Sequence, residues 1–241
     1  MLTLYQFPIS HYCEKIRWAL DYKGLDYTIV NLLPGSHVKI VKKMAPRSEV
    51  PVLVHDGKVV QNSSDIITYL DENFPDRPLT PASPEQQAQA CEWETYVDEQ
   101  VGPHIRLYCY YYFLDRPDIL LPLLTQGQPW YKRLVFRLVF PRVRTVIRRF
   151  LHINDRTAAV SLQKLNQAIN RLHAHLEQHP FLAGDTFSRA DLAAAALLAP
   201  LCTPEKYGLE WPAAFPDEMA AAVDDLRPKL AWVDELYRTW R

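Results

Sequence analysis

The chain has 241 residues and a mass of 28.0 kDa, enough for one large domain or for two domains of roughly 80 and 150 residues. Hydrophobic residues make up 48% of it and charged residues 23%, so it has the apolar surface that a folded core requires, and we expect most of the chain to be ordered. The net charge of −1 gives no general reason to expect nucleic acid as a partner.

The glycines, cysteines and histidines exclude several kinds of site. The seven glycines never take the Gly-x-Gly or Walker spacing, so dinucleotide and P-loop phosphate sites are not expected. His175 and His179 lie four residues apart, but Glu177 is misplaced for a His-Glu-x-x-His motif, so we expect no metal. The cysteines have neither paired nor metal-like spacing, which is typical of a reducing compartment. They are Cys13, Cys91, Cys109 and Cys202.

The first residues lack both the charged start and the continuous apolar stretch of a signal peptide. We therefore expect a cytoplasmic protein.

The beginning of the chain predicts a strand, a helix and a second strand. Residues Leu2 to Phe7 alternate as a strand does, and Pro8 ends the pattern. Ser10 is a candidate N-cap for a helix that Gly24 ends. Tyr27 to Leu32 is rich in β-branched and apolar residues, and a β-α-β crossover would pair it parallel to the first strand.

Two further strands and a helix are expected after a weakly patterned stretch. Val50 to Val54 and Lys58 to Val60 flank Asp56-Gly57, a strong signal for a two-residue hairpin turn. Residues 62–65, Asn-Ser-Ser-Asp, then open a helix that ends near Phe74. The order β-α-β-α-β-β-α, in which the second helix is faint, is that of the thioredoxin fold.

From residue 84 onward the patterns are helical. Residues 1–76 are thus predicted to form a thioredoxin-like domain, 77–83 a linker rich in turn residues, and 84–241 an all-helical domain. Ser83-Pro84-Glu85-Gln86 is a predicted capping box with proline in the first turn. The expected helices run from Glu85 to about Phe113, Trp130 to Leu151, Thr157 to His179, Arg189 to Leu201, and Pro216 to the end.

Four short stretches carry a family resemblance. Residues Phe7 to Arg17 resemble the active-site turn of glutaredoxins and glutathione transferases, with Ser10 where a redox pair would have its first cysteine. Val50-Pro51-Val52-Leu53 looks like that family's cis-proline strand, and Asn62-Ser63 like its amide-plus-serine motif. Residues 181–185 and 187–191 resemble its C-terminal signature. In order and spacing, the chain outside residues 115–155 is similar to the cytosolic glutathione transferase superfamily, with its glutathione-transferase-type helical domain.

The resemblance implies that the first domain binds glutathione as a co-substrate. Glutathione is an extended anionic tripeptide, so its site needs an exposed strand end for its backbone and helix N-termini for its carboxylates. A cis Val50–Pro51 bond would turn the Val50 N–H and C=O toward the cysteinyl backbone of the ligand. Ser63, beside Asn62 at a helix start, would hold the γ-glutamyl carboxylate.

Ser10 is the predicted thiol-activating residue. A hydroxyl at the positive end of a helix favours thiolate over thiol, and the thiolate then attacks the electrophilic carbon of a detoxification substrate. Tyr5 or Tyr12 would be substitute donors, and plain helix caps are the alternative interpretation of Ser10 and Ser63. Cys13 is the second catalytic candidate.

Two other functions stay open. A glutathione-dependent thiol reductase or dehalogenase would use Cys13 through a mixed disulfide, although Cys13 stands at the place of a resolving cysteine. A non-catalytic transferase-like binding or scaffold module would keep the same fold.

An aromatic cluster closes the first long helix of the second domain, where the family has its apolar second-substrate pocket. Its members are Tyr108, Tyr110, Tyr111, Tyr112 and Phe113. They cannot all face inward on one helix, and we predict that Tyr108 and Tyr112, one turn apart, line the pocket.

Residues 132–149 depart from the family plan. They include seven basic residues and no acidic one, interleaved with apolar residues. Such a segment is able to contact an anionic membrane surface, to recruit an acidic partner, or to pair with acidic residues elsewhere in the chain. The resemblance further implies a two-fold homodimer.

Overall fold

A four-stranded mixed sheet lies at the centre of the first domain in a computed structural model of the chain, which describes residues 1–241. The strands are β1 (Leu2–Gln6), β2 (Tyr27–Asn31), β3 (Val52–His55) and β4 (Lys58–Gln61), in the order β2-β1-β3-β4. β1 pairs parallel with β2 and antiparallel with β3, and β3 pairs antiparallel with β4. The predicted crossover and hairpin are confirmed.

Three helices cover this sheet: α1 (His11–Tyr22), α2 (His37–Val41) and α3 (Ser63–Asn73). The predicted thioredoxin-like order is confirmed, and the five-residue α2 is the helix whose pattern is faint in the sequence. Asp56 and Gly57 join β3 to β4 with φ of +47° and +87°, as a type I′ turn requires.

The second domain is entirely helical, as predicted. Its helices are α4 (Pro84–Gln100), α5 (Gly102–Phe113), α6 (Pro117–Thr125), α7 (Trp130–Phe150), α8 (Asp155–Leu176), α9 (Arg189–Cys202), α10 (Asp217–Leu226) and α11 (Ala231–Trp240). Short 3₁₀ turns occupy Glu205–Tyr207 and Arg227–Leu230.

The predicted single helix from Glu85 to Phe113 is wrong. The chain ends α4 at Gln100 and begins α5 at Gly102, because Pro103 lacks the N–H that would continue a helix and is favoured in a first turn. A Cβ at Gly102 would overlap the Tyr12 hydroxyl. The break therefore allows α5 to approach the start of α1.

Other helix signals were also misinterpreted. The side chain of Ser83 makes no capping hydrogen bond, although Pro84 does stand in the first turn. Helix α6 was not predicted, and the predicted helix from Pro216 onward is two helices divided at Arg227–Leu230, where Pro228 interrupts the pattern.

Helix α9 is the centre of the hydrophobic core. All its residues are buried, and it packs against α1, α4 and α11, so 53 buried residues from both domains form one cluster. A capping box begins this helix: the Ser188 hydroxyl accepts from the Ala190 N–H, and the Asp191 carboxylate accepts from the Ser188 N–H. None of the helices combines the length and the apolar character needed to cross a membrane.

Candidate functional site

The turn between β1 and α1 presents Ser10 to a cavity between the two domains. Ser10 is the N-cap of α1, and its Oγ accepts the Cys13 N–H at 3.3 Å. The turn is closed by a hydrogen bond from the Ser10 N–H to the Phe7 carbonyl at 3.0 Å. Apart from its interaction with the Cys13 thiol, the Ser10 hydroxyl acts only as an acceptor within the chain, so its proton is able to be donated toward the cavity. The cap role and a catalytic role are therefore compatible.

Val50 lies on the same cavity wall, two residues before β3. The Val50–Pro51 peptide bond is cis, as expected from the sequence. Neither the N–H nor the C=O of Val50 makes a backbone hydrogen bond within the chain. Both groups are thus free to bind a ligand backbone.

Gln61 is a positioning residue that the sequence analysis missed. Its Nε2 donates to the carbonyl oxygens of Arg47 and Glu49, each at 2.8 Å, and its Oε1 accepts the Arg47 N–H at 3.2 Å. These bonds hold the loop that leads into Val50. A single glutamine at a strand end carries no recognisable sequence signal.

The start of α3 lies beside this loop, because Gln61 pairs with Val52 in the sheet. Asn62, with φ of +87°, caps α3 and accepts the Ser64 N–H at 2.9 Å. Ser63, predicted as a cap under the alternative interpretation, is instead the first helical residue, 5% exposed. Pro51, Asn62 and Ser63 lie outside the cavity lining. Pro51 follows Val50 in the chain, and Asn62 and Ser63 follow Gln61, which pairs with Val52 of the neighbouring strand.

The cavity has a volume of about 280 Å³, and 12 of its 20 lining residues are hydrophobic, so it suits a small, largely apolar molecule. The first domain contributes the turn before α1 and the loop around Val50, and the second contributes α5, the end of α7 and Trp211. Apolar lining residues include Phe7, Ile9, Val50, Ile105, Cys109, Phe113, Ile147 and Phe150.

The prediction that Tyr108 and Tyr112 line this cavity is wrong. The lining face of α5 is formed by Ile105, Arg106, Cys109, Tyr110 and Phe113, which are spaced by one, three and four residues and so share one side of a helix. Tyr110 and Phe113 are the members of the aromatic cluster that line the cavity. The rings of Tyr108 and Tyr112 pack edge to face at 5.3 Å on another side, and Tyr108 is 2% exposed. The aromatic cluster marks the correct helix but does not indicate its rotation.

Several titratable groups on the cavity wall were also missed: His11, His37, Glu49 and Arg106. Burial, with a smaller contribution from the Arg106 cation, lowers the pKa of His11 to about 3, so the imidazole is neutral. His11 is buried, and its Nε2 has no hydrogen-bond partner. Arg106 is exposed and makes no ion pair. No group of three or more His, Cys, Asp or Glu side chains is arranged to hold a metal ion.

Cys13, the second catalytic candidate, does not reach the cavity. It is fully buried one turn inside α1, and burial raises the pKa of its thiol. Tyr12 lines the cavity, but its hydroxyl donates to the Asp98 carbonyl at 2.7 Å, so it is already engaged. Ser10 is therefore the available hydroxyl of this turn.

A buried ionic network joins the two domains behind the site. Lys15, fully buried, lies 2.8 Å from carboxylate oxygens of both Glu94 and Asp98. The contact to Glu94 lacks hydrogen-bond geometry, whereas Arg189 donates to Glu94 at 2.5 Å and to the Ser64 carbonyl at 2.9 Å. Burial alone would raise the pKa of Glu94, but Lys15 and Arg189 reverse this and lower it. The network fixes the start of α3 against α4 and α9.

Comparison with known proteins identifies both domains. Residues 4–78 match the family model of the glutathione S-transferase N-terminal domain, and residues 136–217 match that of the C-terminal domain. The chain is 30% identical over 191 residues to glutathione S-transferase Z1 of Arabidopsis thaliana, covering 76% of this chain and 84% of the relative.

Two bacterial proteins are also similar. Protein LigF of Sphingobium sp. is 39% identical over 103 residues, which cover 41% of this chain and 40% of LigF. The crystal structure of LigF, described as a beta-etherase, superposes with a TM-score of 0.63 over 97% of this chain and 98% of that one, at 24% identity. A glutathione S-transferase from Methylobacterium radiotolerans, crystallised with glutathione sulfonate, gives a TM-score of 0.59 at 23% identity, with coverage of 96% and 93%.

Proposed function

Because the chain belongs to the glutathione S-transferase family, we propose that it transfers the glutathione thiolate to small, mostly apolar electrophiles. The observation that carries the proposal is the apolar cavity between the domains, with the Ser10 hydroxyl at its wall and at the start of α1. Such a cavity brings together an apolar substrate and a site that stabilises sulfur as an anion.

Glutathione would lie along the edge of the first domain. The free Val50 N–H and C=O would pair with its cysteinyl backbone. The Ser63 hydroxyl and the unpaired N–H groups at the start of α3 would bind the γ-glutamyl carboxylate, with Asn62 capping that helix. This arrangement would direct the thiol toward Ser10.

Ser10 would then hold the sulfur as thiolate. Its hydroxyl donates to the sulfur, and the positive end of α1 favours the negative charge. The exposed Arg106 adds a second positive charge at the cavity wall, whereas neutral His11 adds none. The thiolate forms a bond to an electrophilic carbon, and the leaving group departs with its electron pair.

Ser63→Ala is expected to weaken glutathione binding about 10 to 100-fold, the cost of one hydrogen bond to a charged group. Calorimetry on the wild-type chain should give a dissociation constant between micromolar and millimolar. Ser83→Ala is the matched control, since Ser83 also stands at a helix start but makes no capping bond. No detectable binding by the wild type at roughly 10 mM glutathione would refute the proposal.

The likeness to LigF favours one variant of this chemistry. An enzyme described as a beta-etherase indicates attack at a carbon whose leaving group is an ether oxygen. Comparing the turnover of an aryl ether with that of an aryl halide distinguishes ether cleavage from conjugation in which a halide leaves. Reduction through Cys13 has less support, since that thiol is buried.

The active species is expected to be a two-fold homodimer, with the first domain of one subunit against the helices of the other. Sedimentation should therefore give about twice the monomer mass. A 28.0 kDa species alone at tens of micromolar would contradict this expectation.

A further inference from the structure

Helix α7 exposes an unusual amount of apolar surface. Eight of its large apolar side chains are exposed, against five in the rest of the chain. Six of the eight fall between Trp130 and Val139, and Trp130 and Leu138 are each 75% exposed. A concentration of this kind on one helix marks a contact surface rather than scattered exposed residues.

This apolar surface is distinct from the side of α7 that packs on the protein. Phe136 and Phe140 are buried and face the core. Tyr131, Leu134 and Leu138 follow one another at spacings of three and four and are exposed, so they form a second stripe on the outer side. Of these two sides, only the one that carries Phe136 and Phe140 packs within the fold.

The charge on α7 is entirely positive. Arg144 and Arg148 pair with Asp115 at 3.2 and 2.6 Å, so the expected pairing with acidic residues elsewhere accounts for two of the seven basic residues. Lys132, Arg133, Arg137, Arg142 and Arg149 make no ion pair in the chain. Arg133 and Arg137 line a groove between α6 and α7 together with Trp130 and Leu134, so cations flank the apolar stripe. Asp118 of α6 also lines this groove and is paired with Arg116.

We propose that the outer face of α7 docks on an anionic phospholipid surface. The stripe would enter the boundary between headgroups and acyl chains, and the free cations would bind the lipid phosphates. The helix has 21 residues, so it would lie in the plane of the surface over about 30 Å. Trp130 and Tyr131 are residue types that favour this boundary.

The positive charge of α7 favours an anionic lipid surface over a second copy of the chain as the partner of this face. A two-fold contact through α7 would bring two helices of the same sign together, with no acidic residue on either face to offset them. An anionic lipid surface satisfies both the apolar stripe and the cations. The last turn of α7 supplies Ile147 and Phe150 to the substrate cavity, so docking places that cavity beside the membrane surface.

Vesicle flotation of the full chain tests this inference. Vesicles containing phosphatidylglycerol should bind at least about tenfold more protein than phosphatidylcholine vesicles, and roughly 0.5 M NaCl should remove most of the difference. Equal binding to the two kinds of vesicle, or binding to neither, would overturn the proposal.

Matched variants assign the binding to α7. Arg133→Glu with Arg137→Glu should reduce binding at least about tenfold, whereas Arg156→Glu with Lys164→Glu, on exposed positions of α8, should not. Leu138→Gln should also reduce binding, with Val160→Gln, likewise exposed on α8, as its control.

Retained glutathione binding by every variant reports an intact fold. If the α7 variants instead convert a dimer to a monomer in sedimentation without changing vesicle binding, a second copy covers this face and the proposal fails.

Discussion

Replacing Ser10 with alanine is expected to slow conjugation of an aryl halide by roughly 30 to 1000-fold, the usual cost of losing one hydrogen bond to a developing anion, about 2 to 4 kcal/mol. The Ser10 hydroxyl lines the cavity and is able to donate its proton there. Without it, the thiolate of bound glutathione keeps only the positive helix end and the charge of Arg106, so the pKa of the thiol should rise.

The pH dependence of kcat/KM distinguishes this role from a structural one. Loss of the helix cap alone would lower stability without moving the profile, whereas loss of the thiolate donor shifts its midpoint to higher pH. His11, whose pKa is lowered to about 3, stays neutral throughout and does not contribute to the profile.

Cys13→Ala serves as the comparison. It should leave turnover within about threefold of wild type, because the Cys13 thiol is buried away from the cavity. The reverse pattern, in which Cys13→Ala abolishes turnover, Ser10→Ala is harmless and mass spectrometry finds glutathione disulfide-linked to Cys13, would replace conjugation with redox chemistry.

The parts of the fold that were predictable depend on neighbouring residues in the sequence. Asp56-Gly57 determines its own turn, and Ser188 and Asp191 cap α9 within a single helical turn. Strand alternation and helix caps likewise need only a few residues. Such signals were sufficient for the order of elements in the first domain, but in the second they missed α6 and the breaks between α4 and α5 and between α10 and α11.

The side of α5 that faces the cavity could not be predicted in this way. It depends on the rotation of the helix in the folded chain, where Gly102 approaches Tyr12 closely and α5 packs against α4, α8 and α9. Tyr108 and Tyr112 satisfy the helical spacing as well as Cys109 and Phe113 do, so periodicity alone cannot choose between them. Gln61 and Arg106 belong to no motif, and their roles appear only when distant segments meet.

The ionic network behind the site is another long-range feature, and Arg189 is its connecting residue. Ser188 and Asp191 form the capping box of α9. The guanidinium of Arg189 in addition donates to Glu94, Thr68, Thr80 and the Ser64 carbonyl. One arginine thereby holds α3 and α4 against α9, which stabilises the proposed glutathione-binding end of α3.

Arg189→Leu is accordingly expected to lower the free energy of unfolding by about 3 to 5 kcal/mol, because it leaves the Glu94 carboxylate buried with only Lys15 to offset its charge. Urea titration at neutral pH measures the loss, and Arg156→Leu, at an exposed position, should stay within about 0.5 kcal/mol of wild type.

The sign of the pH dependence follows from Glu94, whose pKa the folded protein holds below the usual 4.5. Stability from this pair is present above pH 4.5 and is lost as the pH falls through the lower folded value, whereas the variant is able to protonate Glu94 at a higher pH. The difference between the two proteins should therefore shrink on acidification, and adding Glu94→Leu to Arg189→Leu should recover part of the loss at neutral pH. A loss below about 1 kcal/mol, or one that is unchanged by pH and by the second substitution, would show that the network does not hold the domains together.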